Sequence, residues 1–176
     1  GLLYPLLIES SNDAAAALAE TAGREEFVGL MNAEAERIGL GNTHFTNPTG
    51  LDEGDIDSLT GYSTAGDLAR FAKFLMENRR NIFDISATPA YDLYDAKGVF
   101  HHTAESTNEI LRNQRWPVKI FGGKTGETLQ AKQALLLVTE SPVESGYLIN
   151  VVLGSDNRFG DMKKLIAWVY NSYNWW

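Results

Sequence analysis

Two short motifs, far apart in the chain, carry the residue types of acyl-transfer chemistry. Ser10-Ser11-Asn12 opens an alanine-rich segment, and Lys124-Thr125-Gly126 is approached through Phe121-Gly122-Gly123. Acyl transfer from a peptide needs a nucleophile, a proton relay, donors for a developing oxyanion and a grip on the substrate. Lys124 supplies a positive charge beside the hydroxyl of Thr125, a pair suited to a substrate that ends in a free carboxylate. Gly126 lets another backbone approach closely, and the N–H of Glu127 can point at an oxyanion. Ser10 can pass a proton towards a leaving amine, helped by the Lys124 ammonium. Asn12 offers both a donor and an acceptor to a substrate amide. Taken singly, each motif has a plainer reading: Lys-Thr-Gly as a surface turn with a solvated lysine, Ser-Ser-Asn as a helix N-cap.

The elements that must position these groups follow from periodicity. Asn12 and Asp13 can cap a helix running through Glu20, with Gly23 near its end. Phe27, Leu30, Met31, Ala35 and Ile38 fall at helical spacing, with Glu25 and Glu26 in the first turn and Arg37 in the last. From Leu40 to Tyr62 the density of Asn, Pro, Gly and Asp predicts a long ordered loop. Thr64 with Asp67 makes an acidic capping box ahead of a helix striped by Leu68, Phe71, Ala72, Leu75 and Met76. The second half changes period. Val118 to Thr128 reads as a strand carrying Lys-Thr-Gly, and Ala134 to Glu140 and Tyr147 to Leu153 as an antiparallel hairpin. A last helix puts Met162, Leu165, Ile166, Val169 and Tyr173 on one face to cover the sheet. The expected class is α+β, with residues 1–115 mainly helical and residues 116–176 forming three strands and a C-terminal helix.

The 176 residues suffice for one domain with a real core. A formal charge of −8 argues against nucleic acid or an anionic membrane as partner, since both need a basic footprint. Cysteine is absent, which excludes a disulfide framework and a thiolate nucleophile. His101, His102 and His44 lack the spacing of a metal set, so no metal or cofactor is expected. Asp52-Glu53-Gly54-Asp55-Ile56-Asp57 lacks the register of a calcium loop and reads as a solvated acidic loop. Trp168, Trp175 and Trp176 read as a core helix followed by a frayed aromatic tail.

Several segments together resemble one family. Leu2 to Ala15, Gly39 to Asp52 (Gly-Leu-Gly-Asn-Thr-His-Phe-Thr-Asn-Pro-Thr-Gly-Leu-Asp), Tyr62 to Ala69 and Gly123 to Thr128 resemble the D-alanyl-D-alanine carboxypeptidases, low-molecular-mass penicillin-binding proteins of the S11 serine peptidases. The resemblance implies a penicillin-binding-protein/β-lactamase-like fold. It also implies removal of the terminal D-alanine from peptidoglycan stem peptides through an acyl-enzyme, in the periplasm or otherwise outside the cytoplasm, with membrane association in the full-length protein as one form this takes. Ser10, Asn12 and Lys124 would then be catalytic, and Thr125, Gly126, Glu127 and Thr128 would bind the substrate. β-Lactams would inhibit the intact enzyme. Two departures stand out. Thr107 precedes Asn108 where some members carry an arginine for the substrate carboxylate, which leaves that task to Lys124 and Thr125. No serine here is followed three positions on by lysine, so the Ser-x-x-Lys nucleophile, its helix and the preceding strands are expected outside these residues. Without them the chain is expected to be inactive alone and to self-associate or need a complementing chain. A D,D-endopeptidase and a non-catalytic peptide-binding module remain the alternatives.

Overall fold

A computed structural model describes residues 1–52, 61–112, 116, 118–143, 146–173 and 175. The chain starts with a short helix, α1 (Leu3–Ile8), to which the sequence analysis assigned no element. Helix α2 (Asn12–Glu20) follows at once. Its N-cap is Ser11, whose hydroxyl accepts from the Ala14 N–H at 3.2 Å. Asn12 and Asp13, expected as caps, occupy the first helical turn instead, where the charge of Asp13 favours the helix dipole. Helix α3 (Arg24–Arg37) and helix α4 (Ala65–Asn78) lie where the apolar spacing predicts.

The capping box before α4 is only half made. Thr64 accepts from the Asp67 N–H at 3.1 Å, but the Asp67 carboxylate turns away from the cap. It accepts from the Asn42 N–H at 2.7 Å, the Thr43 hydroxyl at 3.0 Å and Arg70 at 2.8 Å. At 1% exposure this carboxylate needs several donors, and the loop supplies more of them than the cap can. Asn32 and Asn47 staple the same loop. Asn32 exchanges two hydrogen bonds with the Phe45 backbone, and Asn47 ties Thr49, Gly50 and Leu51. Residues 40–52 of the predicted loop are therefore held by polar side chains, and a backbone bridge joins His44 to Tyr62. The acidic run expected to be solvated lies, from Glu53 on, outside the described residues, as does Trp176.

Strands β3 (Ile120–Thr128), β4 (Lys132–Glu140) and β5 (Tyr147–Ser155) form an antiparallel sheet in that order. Helix α7 (Arg158–Ser172) covers one face, where Met162 and Ile166 pack with Leu135, Leu137 and Ile110. On the other face Ala72 and Met76 of α4, with Phe83 of α5 (Asn81–Ser86), pack on Val138. The central strand β4 is thus buried on both faces, which explains the unbroken apolar run from Ala134 to Val138 in place of alternation. The fold is α+β, as the resemblance implies. Within the region read as mainly helical, residues 90–105 form a hairpin of β1 (Ala90–Tyr94) and β2 (Phe100–Glu105). Its turn is an Asp95 cap, with Oδ1 accepting from the Lys97 and Val99 N–H groups at 2.8 and 2.9 Å. A four-residue helix, α6 (Glu109–Arg112), follows.

Replacing Asp67 by alanine should strand the Asn42 and Thr43 donors and lower stability by about 2–3 kcal/mol. Asp67→Asn, which keeps one acceptor, should cost less. Urea unfolding of the two variants measures the difference.

Candidate active site

The Lys-Thr-Gly motif lies on β3, an edge strand of its sheet. The paired glycines before it have separate steric reasons. A Cβ on Gly123 would stand 2.3 Å from the Leu136 carbonyl oxygen, and one on Gly122, at φ +147°, would stand 2.6 Å from both Phe83 O and Ser86 Oγ. The bare Gly122 lets α5 lie directly on the strand, where the Gly123 N–H donates to Ser86 Oγ at 3.1 Å, and the bare Gly123 clears the Leu136 and Leu137 atoms of β4. The buttressed strand then presents Lys124 and Thr125 at a fixed height.

Across 114 positions of sequence, the Lys124 ammonium donates to Ser10 Oγ. It also donates to the Thr125 carbonyl at 3.0 Å. Ser10 sits in the left-handed region, at φ 63°, a conformation that costs a non-glycine residue about 1 kcal/mol or more. The benefit is positional. Ser11 points back to cap α2 while Ser10 points out to meet Lys124. Asn12 opens α2 two residues further on, exposed to solvent.

Thr107, noted in the sequence only for standing where some family members carry an arginine, and Arg158, which the sequence did not single out, complete the arrangement. Thr107 bridges the motifs, with Oγ1 at 3.4 Å from Ser10 Oγ and 2.5 Å from Thr125 Oγ1. Arg158, at the start of α7, donates through Nη1 to the Gly126 carbonyl and to the Glu127 carboxylate, both at 3.0 Å. Its side chain is 14% exposed. An arginine therefore stands at this strand, although it comes from α7 and not from the position of Thr107. Strand register held the clue. Gly126 pairs with Ala134 and Gln133 pairs with Ser155, so the residues just past Ser155 lie level with Gly126.

Burial, and then the charge of Arg158, push the Lys124 amine down from 10.5 to about 8. Beyond Thr128, a cavity of about 620 Å³ opens between the end of β3 and the Asn47–Leu51 loop. Neither Ser10 nor Lys124 lines it. His44 sits beside Tyr62, and His101 and His102 face one another, with His102 reaching Glu9.

The sequence profile of the D-alanyl-D-alanine carboxypeptidase family matches residues 1–157. The chain belongs to this family. It is 31% identical over 175 residues to a D-alanyl-D-alanine endopeptidase of Pseudomonas aeruginosa, a match covering 96% of the chain and 52% of the relative. The chain thus spans about half the length of that relative. The fold agrees with a D-alanyl-D-alanine carboxypeptidase from Mycobacterium tuberculosis at a TM-score of 0.81 and 30% identity, over 98% of this chain and 64% of that one. It also agrees with penicillin-binding protein D2 of Listeria monocytogenes, solved with cefotaxime bound, at a TM-score of 0.79 and 26% identity, over 97% and 65% of the two chains. In this family member, then, the two motifs are brought into direct hydrogen-bond contact.

Replacing Arg158 by glutamine removes one of the two causes that lower the Lys124 amine. Its titration midpoint, followed by NMR at the Lys124 side chain, should move up from about 8 towards the ordinary lysine value.

Proposed function

We propose that the chain is part of a serine-type D-Ala-D-Ala carboxypeptidase and carries much of its substrate grip. The enzyme would remove the terminal D-alanine from peptidoglycan stem peptides outside the cytoplasmic membrane. The observation that carries this reading is the contact of Lys124 with Ser10, beside an open strand edge that holds a second cation, Arg158. In this reading the acylated serine is supplied from outside these residues, because none of the serines here has a lysine three positions on. Among the described residues no helix is long and apolar enough to cross a membrane.

Each group then has a task. An extended peptide adds along the outer edge of β3, where main-chain groups are free to pair with it. Lys124 and Thr125 hold its terminal carboxylate, with Arg158 adding to the field. Because the Lys124 ammonium donates to Ser10 Oγ, the hydroxyl proton of Ser10 is directed elsewhere. Its partner within the site is Thr107, at 3.4 Å, a long and weak contact. Exchanging it for the departing amine of D-alanine costs little, so Ser10 is placed to deliver a proton. Asn12 reads the substrate amide, and the Glu127 N–H faces the oxyanion. The cavity beyond Thr128 leaves room for the upstream part of the stem peptide.

The grip on a carboxylate requires the charged form of Lys124. With the amine at about 8, that charge is present below this pH and is lost as pH rises through it. A peptide ending in D-Ala-D-Ala should therefore shift the Thr125 and Gly126 amide signals of the chain near neutral pH and release above about 8. The same peptide with a C-terminal carboxamide should bind at least about tenfold more weakly, a difference of about 1.4 kcal/mol. Equal binding of acid and amide would overturn the reading. Incubated alone with a β-lactam, the chain should keep its intact mass, since Ser10 accepts a hydrogen bond from an ammonium and has no base on it.

A further inference from the structure

The left-handed turn at Ser10 needs something to hold it, because a serine there relaxes readily to a right-handed conformation. Lys124 pulls on Oγ from one side. On the other side, two contacts from the strand β2 region grip the residues just before Ser10. The Thr107 N–H donates to the Ile8 carbonyl at 3.1 Å. His102 Nε2 lies 3.0 and 3.2 Å from the two carboxylate oxygens of Glu9, the residue next to Ser10. Glu9 is also the C-cap of α1, so its backbone sets where that helix stops and the turn begins.

The orientation of His102 is itself held. His101 Nδ1 lies 2.6 Å from His102 Nδ1, within hydrogen-bond reach, so one of these nitrogens donates to the other. With His101 donating at Nδ1, neutral His102 carries its proton on Nε2 and presents it to Glu9. The groups around His102 are few. Glu9 faces it from α1 and His101 from its own strand. Across the hairpin its register partner is the apolar Leu93, while the neighbouring Asp92 carboxylate accepts from the Thr103 hydroxyl at 2.6 Å.

We infer that His102, oriented by His101, is a positioning residue that clamps Glu9 and thereby keeps Ser10 turned towards Lys124. This inference rests on the reading of Ser10 and Lys124 as one site. The clamp acts through the backbone: it fixes the side chain of Glu9, the Glu9 backbone fixes the turn, and the turn aims the Ser10 hydroxyl. When it is released, the Ser10 turn opens and water reaches the Lys124 ammonium. Since burial is the main reason the amine is depressed, hydration must move it upward.

The test is the Lys124 midpoint, read by NMR on the isotope-labelled chain and on His102→Ala, His102→Gln, Glu9→Ala and the double alanine variant. His102→Ala and Glu9→Ala should each raise the midpoint by about one unit, a tenfold shift in the protonation equilibrium. The double variant should rise no further, because the two residues make one contact. His102→Gln, whose amide can still donate to Glu9, should stay close to the parent. Glu9→Ala gives a diagnostic sign, because losing a carboxylate by electrostatics alone would lower an ammonium. Should His102→Ala fail to fold by circular dichroism, Glu9→Ala and His102→Gln carry the test. A midpoint that stays near 8 in Glu9→Ala, or effects that add in the double variant, would overturn the clamp and leave the site intact. A parent midpoint at the ordinary lysine value would remove the buried Ser10–Lys124 pair, and the clamp with it.

Discussion

An ammonium taken out of water loses several kcal/mol of hydration, and a protein retains it only where hydrogen bonds or nearby acceptors replace the shell. Lys124 is such a group. It is held on the Ser10 hydroxyl and the Thr125 carbonyl, with a guanidinium nearby that makes its charge still less welcome. The same unfavourable balance makes it useful, since an incompletely satisfied cation in a half-buried cleft favours an arriving carboxylate. Much of the remaining structure acts to keep this group where it is.

The support comes from two sides. Beneath β3, Gly122 admits α5, and the Ser86 hydroxyl satisfies the Gly123 N–H that the tight approach would otherwise strand. Opposite, the Ser10 turn accepts a strained backbone angle so that its neighbour Ser11 can cap α2. Strain of this kind persists where surrounding contacts over-determine it. Here those contacts come from Thr107, which touches Ser10, Thr125 and the Ile8 carbonyl, and from His102 on Glu9. The hairpin β1–β2, which has little buried apolar surface of its own, belongs to the site through these contacts.

The polar side chains that hold residues 40–52 follow the same logic away from the chemistry. Asn32, Asn47 and Asp67 each satisfy several backbone groups, so a loop with few apolar side chains keeps a defined course. Its order at the end of β3 is maintained by an Asp52 carboxylate that accepts from the Gln130 N–H at 3.2 Å. A side chain that stabilises a loop in this way is hard to distinguish in sequence from a capping residue, and Asp67 was read as one half of a capping box for that reason.

Taken alone, the sequence determined the elements with strong periodicity and the identities of the motif residues. The α4 stripe, the three-strand meander and the covering helix follow from burial on one or two faces, a property that leaves its period in the chain, whereas α3 buries only Ala35 and leaves Leu30 of its stripe 56% exposed. Ser10, Lys124 and Thr125 were legible as chemistry because their residue types have few other joint uses. Tertiary structure alone decided which side chains complete the site. Arg158 arrives only because antiparallel register brings the start of α7 level with Gly126, and Thr107 only because α6 follows the hairpin on the Ser10 side. The hairpin itself gives a weak local signal. Its strands are largely exposed, with Tyr91, Tyr94 and Phe100 on the outside and Ala104 the one buried residue of the pair. Contacts made across a hundred residues leave no period behind, and no local pattern could have announced that His102 would meet Glu9.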